Sequence, residues 1–451
     1  MLGDSLIEIA RALKVYFEGD AQVSGYQIDS RGVEPGGLFF ALKGEKVDGH
    51  CYLPEAARRG AVAAVVEKGR VSQAELPLIE VDDPLAALQT LARIGLEHRP
   101  AQILGITGSV GKTTAKEFAA TLLEKKFSLY KSPGSFNSQR TFPLNLLNRT
   151  GQEKLLVLEM GMSLPGEMQR LVSIAAPDLA VITKIALSHV ANFPDGLEGI
   201  ACAKAEIASQ AKTGRVILDV DFLQYRTAVE LIRAEKITFS THDRTADYYL
   251  SYVDGQYRID ERGVRAHQFD LPFHETHFLH DFTAALAAAR QLGMSWEEIE
   301  QQTLKLSLPK MRFEQFEWGG MQLINDAYNA NPASMRAALE NLPSPKEGGK
   351  KIAVFGSMQK ELGSYSKESH EEIGRLAQKH IDVLFSIGED AKILNDTFSE
   401  AKKPSEHFRS QESLIERLRE VMLPGDVILF KGARAMQIEK VVESLCAAAP
   451  R

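Results

Sequence analysis

The sequence predicts an α/β protein of three domains. Three observations lead there. At 451 residues the chain is long enough to build several cores. Short apolar runs alternate with amphipathic stretches from residue 102 onward, as in parallel sheets covered by helices. The pattern is broken near Pro100, and again by a polar stretch that reaches Lys310. Residues 1–98 are thus expected to form a small mixed α/β domain, 99–308 a central parallel-sheet domain, and 309–451 a Rossmann-like domain.

The first residues, MLGDSLIEIARALKVYF, place Asp4 and Glu8 among apolar residues at helical spacing, which predicts a helix. They lack the basic start and small-residue cleavage site of a signal peptide. GLFFAL and AVAAVVEK read as short strands between Gly and Pro punctuation, and EHRPAQ as a linker. QILGITG opens the central domain as a strand, AKEFAATLLEKKF follows as a helix, and LLVLEM and LAVITKI are further strands. A helix containing FTAALAAARQLG ends that block. In the third domain KIAVFGS, IDVLFSIG and GDVILFKG read as parallel strands, with LPSPKEGGKK a surface loop.

Composition narrows the function. A net charge of -7 argues against non-specific nucleic-acid binding, which needs a basic footprint. The three cysteines, Cys51, Cys202 and Cys446, are far apart and form no metal-type cluster; they fit a reducing compartment. No apolar run approaches the roughly 18–20 residues that cross a bilayer. The expectation is a cytoplasmic protein without membrane insertion.

The most informative stretch runs from Gly105 to Thr114, GITGSVGKTT, between a strand and a helix. Gly108 and Gly111 let the backbone turn tightly, so that N–H groups at 108–114, those of Ser109, Val110 and Thr114 among them, can approach phosphate oxygens. Lys112 would reach the β- and γ-phosphates, and the Thr113 hydroxyl suits Mg²⁺. Ile106 stands where the common P-loop has its first glycine. The plain alternative is a glycine-rich turn that holds no ligand.

Three more residues follow in successive βα segments, whose loops converge at the C-terminal edge of such a sheet. Glu159 ends LLVLEM, where a strand tip would offer Mg²⁺ a carboxylate; alone it could equally be solvated or paired. His189 follows LAVITKIALSH, and a lone histidine is more often structural. Lys204 lies in the helical GIACAKAEIASQAK, where a solvated lysine is the ordinary reading.

Together with Asp29-Ser30-Arg31, GGLFFALKGEKVDGH, EMGMSLPGEM and DAYNANPASMRAAL, these residues resemble the Mur ligase family over nearly the whole chain. The resemblance implies an ATP-dependent amide-bond-forming enzyme, monomeric, that joins D-alanyl-D-alanine to UDP-N-acetylmuramoyl-tripeptide through an acyl phosphate. It implies that Ser30, Arg31, Lys43, Gly44, Asp48, Gly49 and His50 belong to the pocket for the UDP-linked substrate, with Asn137 in a substrate-contacting loop. Arg31, as an isolated residue, would more often be a surface ion pair. Glu159 and His189 match Mg²⁺ positions, and Lys204 matches a lysine that the family carbamylates with CO₂. Arg312, Asp326, Asn329 and Asn331 match positions by which the third domain closes over ATP; a well-hydrogen-bonded Asn-Pro turn is the alternative for the asparagines.

The sequence also departs from the family. Ser135, Ser138 and Gln139 replace Asn and Glu in the Asn137 loop. The family's H-N-x-x-N near the adenine is here His277-Phe278-Leu279-His280-Asp281, an expected Asn is Lys184, and Ser357 replaces an Asp. Two other functions share the phosphate loop: a folylpolyglutamate-synthase-like ligase and an ATP-dependent switch that ligates nothing. A GTPase switch would need N-K-x-D, and the sequence has no Asn-Lys pair.

Overall fold

A computed structural model describes residues 5–44 and 47–447. Asp4 lies outside them; the predicted first helix spans Leu6–Ala12, with Ser5 as its cap. Three sheets follow one another along the chain. The first has four parallel strands, Gly25–Gln27, Gly37–Phe40, Ala63–Glu67 and Leu78–Val81, adjacent in that order. The helix Pro84–His98 starts where the Asp83 carboxylate accepts from the N–H groups of Leu85 and Ala86. Glu97 and His98, expected in the linker, are its last residues, which leaves 99–101 as the connection. Asn148, at the end of the helix Thr141–Leu147, bonds both the N–H and the C=O of Tyr26 at 2.9 Å, tying the first sheet to that helix.

The central sheet has nine strands. Seven are parallel, ordered Leu129–Lys131, Leu155–Glu159, Gln102–Thr107, Leu179–Ile182, Arg215–Asp219, Glu235–Ser240, Tyr248–Val253. Helices cover both faces, which is why LLVLEM and LAVITKI are continuous apolar runs rather than alternating ones. From the strand Gln102–Thr107 the chain first builds outward on one side, to Leu155–Glu159, then continues on the other with Leu179–Ile182. That reversal opens a crevice at the carboxyl ends of the strands, where open α/β sheets bind ligands. Two antiparallel strands, Gln256–Glu261 and Val264–Phe269, extend the far edge. Their turns are Asp254-Gly255 and Arg262-Gly263, all four residues with positive φ.

The stretch expected to be merely polar before Lys310 contains a helix, Trp296–Thr303. Ser295 and Glu298 form a capping box there, and Ile299 is its buried anchor. The third sheet has six strands, ordered Glu314–Trp318, Met321–Asn325, Val427–Lys431, Lys351–Gly356, Val383–Ile387, Ser405–Phe408; only the first pair is antiparallel.

One apolar cluster runs from Leu38 and Phe40 through the central sheet to Met335 and Phe355. No helix among the described residues is long and apolar enough to cross a membrane. Cys51, Cys202 and Cys446 are free thiols. The phosphate-loop helix, Lys112–Leu123, is anchored by Phe118, fully buried, stacked on Phe273 at 5.0 Å and edge-on to Phe282. Phe118→Ala is expected to destabilise the central domain by about 3–5 kcal/mol, read as a lower urea midpoint. An unchanged midpoint would mean that the helix is held by something else.

Candidate active site

The phosphate loop leaves the strand Gln102–Thr107 and enters the helix Lys112–Leu123. Gly108 and Gly111 have φ of 154° and 84°. A Cβ at 108 would fall onto the Thr183 hydroxyl, and one at 111 onto the Asp281 carboxylate. Only glycine fits either position. Thr183 Oγ1 donates to Val110 O at 2.6 Å, and Ser109 N to Lys184 O at 2.8 Å, which stitch the loop to the next strand's end. No side chain caps the helix at Gly111, so its first N–H groups stay available to an anion.

Lys112 is bent back onto its own loop, its Nζ donating to Gly108 O at 2.8 Å. Burial pulls its pKa below the ordinary lysine value, against the opposing charge of Glu159. Glu159, at the tip of the strand Leu155–Glu159, is shielded from solvent, and no base among the described residues forms an ion pair with it. Its Oε2 accepts from Thr113 Oγ1 at 2.9 Å and its Oε1 from Asn137 Nδ2 at 2.5 Å.

His189 sits at φ 57° just before the short turn Val190–Asn192. Burial, then the charges of Lys112 and Lys204, lower its pKa to about 4, so it is a neutral imidazole at physiological pH. Its Nδ1 is buried and has no hydrogen-bond partner among the described residues. Lys204, on the helix Gly196–Ala205, is 3% exposed rather than solvated. Burial and the charge of Lys112 push its pKa well below the usual lysine range, and no carboxylate among the described residues pairs with it. Lys112, Thr113, Glu159, His189 and Lys204 line one cleft of about 760 Å³. Among the described residues no group of three or more His, Cys, Asp or Glu side chains is arranged to hold a metal ion by itself. The donors on hand are one hydroxyl, one carboxylate and one neutral imidazole, a set that suits a Mg²⁺ completing its shell with phosphate and water oxygens.

The third domain closes the cleft. Arg312 lies between Met311 and Phe313, at φ 56° and 54°, each a conformation that costs a non-glycine residue about 1–3 kcal/mol. Phe313 is held there by burial against the rings of His277 and Phe278 and by its N–H to Asp326 Oδ1 at 3.2 Å. The Arg312 guanidinium stacks 4.0 Å from the Tyr328 ring centre and donates to Thr113 Oγ1 at 3.3 Å, and the Tyr328 hydroxyl bonds Ser135. Asp326 pairs with the buried Lys431 at 2.5 Å, and Lys431 also donates to Asn329 O. Asn329 bonds the N–H of Ala330, and Asn331 caps the helix Pro332–Glu340 through Ser334. The asparagines thus make the turn bonds of the structural alternative while still lining the cleft.

The N-terminal candidates lie elsewhere. Lys43 and His50 line a second cavity of about 340 Å³ with Glu67, Asp82, Asp83 and Arg140. Asp48 accepts from the backbone and ring of His50 and from Arg70, bonds that hold its carboxyl well below the usual range. His50 Nε2 accepts from Glu67 N at 3.1 Å, and its Nδ1 lies 2.6 Å from Asp48 Oδ1. Gly44 and Gly49 are tight turns, where a Cβ would crowd Val47 O and Leu42 N. Ser30 donates to Glu55, and the exposed Arg31 lays its fork on Asp29, a surface ion pair; neither lines the second cavity. Asn137 faces the large cleft.

Sequence reasoning missed Tyr328 and Lys431; the signal for Lys431 was its place at the end of the apolar run GDVILFKG, another strand tip. It also left the departures without a part to play. Phe278 is packed among Phe273, His277 and Phe313, Lys184 lines the cleft, and Ser357 Oγ accepts from Ala391 N.

The sequence matches three family profiles in chain order: "Mur ligase family, catalytic domain" over residues 22–94, "Mur ligase middle domain" over 106–289, and "Mur ligase, glutamate ligase domain" over 311–434. It is 33% identical over 430 residues to the UDP-N-acetylmuramoyl-tripeptide–D-alanyl-D-alanine ligase of Bacillus subtilis (strain 168), covering 94% of this chain and 93% of that one. Among solved structures it resembles the MurF ligase of Thermotoga maritima in complex with ADP, with a TM-score of 0.78, 30% identity and coverage of 94% and 97%. MurF from Acinetobacter baumannii superposes with a TM-score of 0.85 at 26% identity, covering 99% and 100%.

Asp281, one of the departures, forms a buried ion cluster with His280 and Asp219 at the cleft wall. His280 Nε2 lies 2.9 Å from Asp219 Oδ2, and its Nδ1 3.7 Å from Asp281 Oδ1. Burial disfavours the imidazolium, but the two carboxylates outweigh it and raise its pKa to about 9. An unfolded histidine loses its proton near 6.5, so this cluster stabilises the fold fully below that pH and fades as pH rises through 9. The contribution is on the order of 3 kcal/mol. His280→Gln is expected to abolish that part of the fall in denaturant stability between pH 6.5 and 9. An equal pH slope in both proteins would contradict it.

Proposed function

The chain belongs to the Mur ligase family, and we propose that it joins D-alanyl-D-alanine to UDP-N-acetylmuramoyl-tripeptide with ATP in cytoplasmic peptidoglycan precursor synthesis. The reading rests on the convergence of Lys112, Glu159, His189 and Lys204 from successive segments, beneath an Arg312 supplied by the third domain. In this division residues 1–98 receive the UDP-linked substrate, 99–308 hold ATP, and 309–451 close over it, in a monomer. The 33% identity to the Bacillus subtilis ligase over 94% of the chain supports this acceptor pair.

A free carboxylate is a poor electrophile; its attack on the γ-phosphorus of ATP breaks the β–γ bond, releases ADP and makes an acyl phosphate with a good leaving group. The amine of D-alanyl-D-alanine then displaces phosphate. The first step brings a carboxylate against a polyanion; two like charges at ~4 Å repel by about 4 kcal/mol at an effective dielectric of ~20. Lys112, moving from Gly108 O to the phosphate, would offset that repulsion from one side and Arg312 from the other. Closure by Tyr328, Asp326, Asn329 and Asn331 would keep water from the acyl phosphate.

Thr113, Glu159 and His189 would hold Mg²⁺; the unpartnered His189 Nδ1 and the Glu159 carboxylate support that fit. When bound, the ion neutralises phosphate charge. Lys204 is suited to carbamylation because only an unprotonated amine adds CO₂, and its burial favours that form. The carbamate would turn a lysine into an anionic oxygen donor.

ATP, UDP-N-acetylmuramoyl-tripeptide and D-alanyl-D-alanine together are expected to give phosphate and a pentapeptide product by mass spectrometry, with neither acceptor sufficient alone. Turnover with a folate and glutamate, or phosphate release without acceptors, would overturn the assignment. Lys112→Ala is expected to lose at least about 10²-fold in turnover while keeping its circular dichroism spectrum. Wild-type ligation by that folded variant would remove the role given to Lys112. Lys204→Ala is expected to be inactive and to regain activity with short carboxylates such as formate or acetate. Full activity without them would eliminate a required carbamate.

A further inference from the structure

Lys116 is fully buried, one helical turn beyond Lys112. An ammonium tolerates such a site only when each of its three hydrogens finds an acceptor. Here each does: Ser132 O and Gly134 O at 2.6 Å, and Glu117 Oε1 at 2.9 Å. Two of the three acceptors are backbone carbonyls of the loop that follows the strand Leu129–Lys131. Nothing in the phosphoryl chemistry above uses this lysine, and an apolar side chain would fill the core without a buried charge.

What the loop carries explains the lysine. Ser132 Oγ accepts from the N–H of Glu159 at 3.1 Å. Three residues on, Ser135 bonds the Tyr328 hydroxyl of the third domain, the ring on which Arg312 stacks. Asn137 then donates to Glu159 Oε1. One loop thus touches the carboxylate at the phosphate site and the aromatic platform of the closing domain, and its first turn is pinned to the phosphate-loop helix through Lys116.

We propose that Lys116 is a positioning residue for ligation: by holding the Ser132 and Gly134 carbonyls it registers the 132–138 loop, and with it Asn137 and Ser135, to the phosphate loop, a role that rests on the ligase reading above. Lys116 does not touch the reactants. Its loss leaves the nucleotide's own contacts in place and displaces the loop that aligns the rest.

Lys116→Met, near in length and without donors, tests this. A shift of the loop by an ångström or so is expected to lower kcat about 10²-fold while the KM for ATP stays within about twofold. Amides of 134–138 should exchange with solvent at least about tenfold faster, while those of the helix Lys112–Leu123 keep wild-type protection. Because Lys116 acts through Asn137, adding Asn137→Ala should cost kcat little more than either change alone. Unchanged loop exchange, multiplicative kcat effects, or an ATP KM that rises in step with the loss of kcat would each overturn the proposal. Should the methionine variant not fold, Lys116→Leu, which also lacks donors, takes its place with the same expected results. Should neither fold, Lys116 is a folding residue and the positioning role fails. Exchange is measured without acceptors, so it tests the lysine separately from the substrate assignment.

Discussion

Everything at this site depends on where the Glu159 carboxylate is held. It is almost wholly excluded from solvent, and a buried carboxylate is costly unless its oxygens are met by donors. One oxygen is met by Thr113 and the other by Asn137, so a single group joins the first turn of the phosphate-loop helix to a loop on the neighbouring strand. Its own N–H is taken by Ser132, and the next residue's N–H by Ile106 O in the central strand. The carboxylate is therefore fixed from both ends. Lys112, His189 and Lys204 line the same cleft, and burial disfavours the charged form of each. A polyanion entering this space would favour the charged form of Lys112, which is the direction a phosphate site requires.

The third domain reaches the same cleft by a different device. Arg312 is presented between two left-handed residues whose strain is offset by the burial of Phe313 among aromatic rings. The buried Asp326–Lys431 pair fixes the strand ends on which that segment lies; leaving one of them unpaired would be far more costly than the pair itself. Tyr328 links the two systems, with Arg312 on its face and Ser135 at its hydroxyl.

Much of this was legible in the residues. Strands buried on both faces announce themselves as apolar runs, and every run singled out in the central and third domains is a strand. Lys112, Thr113, Glu159 and His189 stand at strand ends or just beyond, where connectivity alone makes them converge, whereas Lys204 comes from the last turn of a helix. Other features depend on partners that no local pattern reveals. Arg31 looks like an anion fork until Asp29 takes it, and Lys204 looks solvated until its helix is seen to be buried. A lysine among alanines, GIACAKA, was the available hint. The edge strands after residue 248 carried Asp-Gly and Arg-Gly turn signals, and the helix Trp296–Thr303 carried a Ser-Trp-Glu-Glu start; both were hidden by their polar composition. His280 could not be read as an ion-cluster residue, because Asp219 lies 61 positions away.

The central claim is chemical: a triphosphate seated over Lys112 converts a carboxyl group into an acyl phosphate. Oxygen tracing tests it most directly. With ¹⁸O in the terminal carboxylate of the UDP-linked tripeptide, the account predicts that the phosphate released during ligation carries one atom of that label. Phosphate released without label, while the amide forms, would contradict it.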